Sequence, residues 1–162
     1  MKNCYRKEQS VAFTGHRSVP KEKVGEVRMR LRAKLILLYQ LGFRNFISGM
    51  ALGFDMIAAE EVIRLKEELS EIRLIVVVPY ERQSERWSPY QKKRHEGIME
   101  KADKVEILSQ GYFNGVFLKR NDYMLSQACG LIAYFDGKPK GGTFYTCRKA
   151  KLGGMDIINL YG

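Results

Sequence analysis

Along the chain, short apolar runs rich in β-branched residues alternate with longer segments whose apolar positions recur every three to four residues. "SVAFT" (Ser10–Thr14) reads as a first strand. From Lys21 to Tyr39, the positions Val24, Val27, Leu31, Leu35 and Leu38 form one helical stripe, and Gly42 stands where a helix C-cap is expected. "FRNFIS" (Phe43–Ser48) reads as a second strand and Phe54–Glu68 as a second helix. "IRLIVVVP" (Ile72–Pro79) is an unbroken β-branched run, the mark of a strand buried on both faces of a parallel sheet. It is expected at the centre of that sheet. A third helix follows from about Pro89 to Ala102, then a strand at Lys104–Leu108, a helix at Phe117–Ala128, a strand at Gly130–Phe135, a helix at Thr143–Leu152 and a last strand at Met155–Leu160. Strands alternating with helices give right-handed βαβ crossovers. The expected fold is therefore α/β: a single Rossmann-like domain over residues 10–162, mainly parallel, with helices on both faces, after an N-terminal tail at residues 1–9.

The composition fits one globular domain. The chain has 162 residues, enough for one full core, and no run approaches the ~18 to 20 apolar residues that span a bilayer. The stretch "MKNCYRKEQS" has basic residues with no apolar segment behind them, so no signal peptide is expected. Cys4, Cys129 and Cys147 are odd in number and lack ligand spacing, which suits reduced thiols in a cytoplasmic protein without a metal site. Net charge alters the picture more: +10 favours an anionic partner. The cations are spread over "RMRLRAK", "QKKRH" and "KPK", mostly as solvated faces, so nucleic acid is the less favoured partner and a phosphorylated small molecule the more favoured one. No cofactor is expected, no membrane partner is indicated, and a homo-oligomer is left open.

In parallel sheets, ligands bind beyond the carboxyl ends of the strands, near the point where strand order reverses. The loops to inspect are therefore Gly15–Arg17, Gly49–Asp55, Tyr80–Trp87 and Asp136–Thr143. In "SGMALGFD", Gly49 and Gly53 follow a strand and open a helix, where glycine lets backbone N–H groups approach an anion at the positive helix end. The same glycines also serve ordinary packing. Asp55 is either a ligand-facing carboxylate or a first-turn residue complementing the helix dipole. Glu60, five residues on, is either a catalytic acid or a salt-bridged surface residue. In "KPKGGTFYT", Gly141 and Gly142 precede a helix for which Thr143 is the expected N-cap, and the same turn would cradle an anion. Gly15 permits a tight exit from the first strand, Arg17 offers a planar fork suited to phosphate, and His16 reads more readily as a hydrogen-bonding loop residue than as a catalyst. Arg120 and Asn121 lie near a helix start, within reach of a ligand or as a surface pair and cap. Trp87 stands beyond the third strand, placed to stack on a base or to pack as a lid.

Taken in order, "FTGHR", "SGMALGFD", "RNDYM" and "GGT" resemble the YpsA-like family of the SLOG superfamily, relatives of the LOG phosphoribohydrolases and of the Smf/DprA DNA-processing proteins. The resemblance runs from about Val11 to Leu160. It implies a Rossmann-like sheet and a site for a nucleotide or nucleotide-derived ligand. By motif, that site comprises Gly15, Arg17, Ser48, Gly49, Gly53, Asp55, Arg120, Asn121, Gly141, Gly142 and Thr143. One departure bears on chemistry. The LOG pattern P-G-G-x-G-T-x-x-E ends in a glutamate of the hydrolytic site, whereas here "PKGGTFYTC" puts Thr146 at that position. Binding or sensing of a nucleotide-like ligand is the leading expectation. The alternatives are a hydrolase of a nucleotide N-glycosidic or phosphate bond with Asp55 or Glu60 as its acid, and DprA-like binding of single-stranded DNA.

Overall fold

The computed structural model describes residues 5–162; Cys4, with the rest of residues 1–4 of the expected tail, lies outside the described residues. The elements in chain order are β1 (Ser10–Gly15), α1 (Val24–Gln40), β2 (Asn45–Ser48), α2 (Phe54–Lys66), β3 (Arg73–Val78), α3 (Pro89–Lys101), β4 (Lys104–Ile107), α4 (Val116–Ser126), β5 (Gly130–Tyr134), α5 (Gly141–Leu152) and β6 (Asp156–Asn159), with 3-10 turns at Lys7–Gln9 and Lys21–Lys23. All neighbouring strands are parallel, in the order β4-β3-β2-β1-β5-β6.

Strand alternation divides the core into two layers. Val11 and Phe13, with Leu74, Val76 and Val78, face α1, α2 and α3, where the stripe Val27, Leu31, Leu35 and Leu38 is buried. Ala12, Ile75, Val77 and Leu131 face α4 and α5, against Met124, Leu125, Cys147 and Ala150. Each fully buried Leu or Phe stabilises this arrangement by about 1.5 to 3 kcal/mol relative to exposure. Local signals agree: Ser88 caps α3 in a reciprocal box with Gln91, and Pro89 takes the first helical position.

Two expectations change. β3 lies next to the β4 edge, and β2 and β1 form the middle of the sheet. An unbroken apolar run requires a neighbour on each side and a layer on each face, which β3 has, but it does not require the central position. Thr143 is the third residue of α5 rather than its N-cap, because Gly141, in the left-handed region at φ +91°, lets the helix begin two residues earlier. Among the described residues, no helix is long and apolar enough to cross a membrane.

Candidate functional site

The chain builds outward from β1 through β2 and β3 to β4, then returns to the other side of β1 for β5 and β6. Strand order therefore reverses between β1 and β5, which opens a crevice at their carboxyl ends. A cleft of about 520 Å³ occupies this position. It brings together Gly15, His16 and Arg17 after β1, Asp55 from α2, Arg120 and Asn121 from α4, and Gly141, Gly142 and Thr143 from α5. Residues from four separate stretches of sequence thus meet in one place.

The three β-end turns are locked to one another. His16 Nε2 accepts the backbone N–H of Asp136 at 2.9 Å, tying the β1 turn to the β5 loop. The N–H of Phe54 donates to His16 O at 3.1 Å, tying it to the start of α2. Gly53 makes that approach feasible: its φ is +84°, and a Cβ there would run into the Arg17 carbonyl. Ser48, Gly49 and Gly53 do not line the cleft and instead form its support. Ser48 Oγ donates to Asp55 O and accepts from Met50 N, while Gly49 O accepts from Arg120 Nη1. The second turn therefore spends much of its donor capacity internally. Ala51 N donates to Asp55 Oδ2 at 3.3 Å. Met50, with φ +59°, is the one non-glycine residue in the left-handed region among the described residues, a strained conformation held by the surrounding bonds.

The amides with free capacity lie at α5 instead. Lys140 precedes the helix without a side-chain cap, so the N–H groups of the first turn, at Gly141, Gly142 and Thr143, face the cleft with no capping acceptor. Asn121 sits beside them, its Oδ1 held by Arg120 Nε at 2.7 Å, which leaves its amide nitrogen toward Gly142. Arg17 and Arg120 lie over the Phe117 ring, with guanidinium carbons 5.1 and 5.8 Å from its centroid.

Asp55 lies among these cations, 5% exposed, and its Oδ1 has no hydrogen-bond partner. Burial pushes its pKa up to about 6, against the opposing pull of Arg120, the Ala51 N–H and Arg17. Burial likewise lowers the Arg120 pKa, with the Asp55 charge opposing that shift. Glu60 is elsewhere. It lies on α2, ion-paired with Arg28 at 2.9 Å and Arg94 at 2.6 Å. Burial works against its charge, but the hydrogen bonds from Arg94 and Arg28 win and hold its carboxyl below the ordinary value. Thr146 is buried and donates its hydroxyl to Gly142 O at 2.9 Å, so it carries no acid into the cleft.

Trp87 lines a neighbouring cleft of about 510 Å³ and packs edge-on against His95, ring centroids 5.4 Å apart. Sequence reasoning missed the outer wall of the first cleft: Tyr112, Asn114 and Gly115 from the β4–α4 connection, and Phe117 from the first turn of α4. The signal available in the sequence is "GYFNG", two glycines bracketing aromatics after a strand, and the structure shows that strand, β4, at the edge of the sheet.

A model of the YpsA family, described as the YspA SLOG family, matches residues 11–154. A UPF0398 protein of Bacillus pumilus is 28% identical over 127 residues, covering 77% of this chain and 68% of the relative. One from Bacillus cereus strain G9842 is 26% identical over 133 residues, covering 81% of this chain and 72% of the relative. Among solved structures, DNA processing protein A from Helicobacter pylori, described for its single-stranded DNA binding mode, superposes with a TM-score of 0.64 at 23% identity. That match covers 94% of this chain and 65% of the other, so the chain spans about two thirds of its length. The likeness is one of fold. With the family model matching nearly end to end, the chain belongs to the YpsA family of SLOG proteins.

Proposed function

We propose that the switch-point cleft binds a nucleotide or nucleotide-derived small molecule, with its phosphate at the start of α5. The observation that carries this reading is the convergence of an uncapped helix N-terminus with two guanidiniums, Arg17 and Arg120, on one cleft. Amides and helix dipole favour an anion there, and a planar guanidinium adds paired, directional donors. The unpartnered Asp55 Oδ1 lies beside them and would accept from a sugar hydroxyl or a base amine. Binding is favoured over hydrolysis because Asp55 is the one carboxylate of the cleft, and Thr146 stands where the LOG pattern has its glutamate.

Arg17 is exposed and has no structural ion pair among the described residues, so it can be altered without threatening the fold. Thermal shift and calorimetry with ribose 5-phosphate and nucleoside monophosphates test the reading. The wild type is expected to be stabilised. Arg17→Lys, which keeps the charge but loses the fork, is expected to bind about 5- to 30-fold more weakly, corresponding to roughly 1 to 2 kcal/mol. Equal stabilisation of both proteins would remove Arg17 from the site.

A second reading, single-stranded nucleic acid, draws on the +10 net charge and on the DNA-binding structural neighbour. It predicts a much steeper dependence on salt than a mononucleotide shows.

A further inference from the structure

The neighbouring cleft is not separate from the first. Arg17, Ala51, Tyr112 and Phe117 line both, so the two form lobes of one depression that runs from the start of α5 to the loop after β3. The second lobe differs in chemistry. Tyr80, Tyr112 and Phe117 make a contiguous aromatic cluster, with ring centroids 5.7 to 6.3 Å apart, and Trp87 stands across from them. Each lobe alone falls within the volume range of small-molecule sites. Together they exceed what a phosphate and a sugar would fill.

Gln83 gives the second lobe its polarity. The residue is 8% exposed and lies in the loop of successive turns between β3 and α3. Its Nε2 donates to Met50 O at 3.2 Å. A carbonyl can only accept, so this bond fixes the amide orientation and leaves Oε1 as the free atom. That Oε1 is buried and has no donor. A buried acceptor without a partner is disfavoured unless something supplies the donor. Met50 O is the carbonyl of the strained residue described above, so the same amide that pins the β2 loop holds an unfilled acceptor at a residue lining the aromatic lobe.

We infer that the second lobe is the seat of a nucleobase, held between aromatic side chains and anchored by an N–H donated to Gln83 Oε1, while the phosphate lies in the first lobe. This rests on the phosphate reading above and extends it: the ligand has two parts, and Gln83 holds the ring.

Affinities of ribose 5-phosphate, AMP, GMP, CMP and UMP for the intact chain test the inference, with Trp87 fluorescence recorded alongside. Trp87 is the one tryptophan of the chain and lines this lobe, so it reports ring binding directly. At least one nucleotide is expected to bind about tenfold or more tightly than ribose 5-phosphate, equivalent to roughly 1.4 kcal/mol, and to change Trp87 emission where ribose 5-phosphate does not. In Gln83→Leu, the ratio of nucleotide to ribose 5-phosphate affinity is expected to fall toward one. If ribose 5-phosphate binds and no nucleotide exceeds it, or the ratio survives in Gln83→Leu, the ring seat is overturned and the phosphate site stands. If no compound binds, the phosphate reading fails and the ring seat with it. Should Gln83→Leu fail to fold, the wild-type ratio and the Trp87 response decide the question.

Discussion

Asp55 enters the first turn of α2, where a carboxylate complements the helix dipole, yet the fold then buries it beneath Arg120 with one oxygen unpartnered. Its pKa rises from the ordinary 3.8 to about 6, first because of burial. The sign follows from proton counts. Below about pH 4 both folded and unfolded chains hold the proton, and the group contributes nothing. Between about 4 and 6 the folded chain keeps a proton that the unfolded chain has lost, so stability falls as pH rises. Above about 6 the full penalty stands, roughly 3 kcal/mol for a shift of this size. Asp55→Asn keeps an acceptor for the Ala51 N–H and removes the charge. It is therefore expected to raise the urea midpoint at pH 7.5 and to leave it little changed at pH 4. Equal stability of the two proteins at pH 7.5 would mean that the carboxylate is not held in a desolvated position. A destabilising charge retained at a cleft is what a ligand-binding group looks like, and here it stands between two arginines.

The turns around Asp55 show the same economy of space at the level of elements. A Cβ at Gly15 would lie 2.6 Å from Phe54, which is stacked on Tyr134 and edge-on to Phe13 and so has nowhere to move. Gly15→Ala is expected to lose about 1 to 3 kcal/mol by overpacking. Gly53→Ala should lose more, because its Cβ meets backbone at Arg17 rather than a side chain, and its φ of +84° is itself unfavourable for alanine. Denaturant melts of the two variants would rank them, and a milder Gly53→Ala would show that the β1 and β2 turns can part. How much of this was legible depended on range. Gly141 and Gly142 were readable as the turn that opens a helix because strand, glycine pair and helix are contiguous in sequence. The Gly49 turn was readable as a turn, but its role was not: Arg120, 71 residues away, takes its carbonyl, and its neighbours' N–H groups bond to Ser48 and Asp55. The Asp55 environment was hidden for the same reason. Burial of a polar residue depends on what the chain folds over it, and the wall from Tyr112 to Phe117 arrives from a strand at the far edge of the sheet.

At the scale of the molecule, strand alternation foretold the parallel sheet but not the order that puts β1 and β5 side by side, and that order places the cleft. The net charge of +10 is likewise a sum that hides its distribution. Arg28 and Arg94 are matched by Glu60, Arg32 by Glu68, Lys66 by Asp103, Lys104 by Glu106 and Lys149 by Asp122. Around the two lobes, Arg17, Arg86, Arg120 and Lys140 stand in no ion pair among the described residues, with Arg17, Arg120 and Lys140 in the first lobe and Arg86 in the second. On the phosphate reading proposed above, the three cations of the first lobe suit one phosphate group, whereas a bound strand would need a longer track that also draws on Arg86. Salt separates the two, since each phosphate neutralised on a single strand contributes a slope of about −0.7 to log K against log salt, and four contacts would give about −3. A mononucleotide is expected to show a slope near −1, and a ten-residue oligonucleotide is expected to bind no more than a few-fold tighter near 150 mM salt. An oligonucleotide bound a hundredfold tighter, with a slope of about −3, would make the cleft one stop on an extended nucleic-acid surface. In that case the unpaired cations, rather than the start of α5, would set the affinity, and Arg86→Ala would weaken the oligonucleotide while leaving the mononucleotide unchanged.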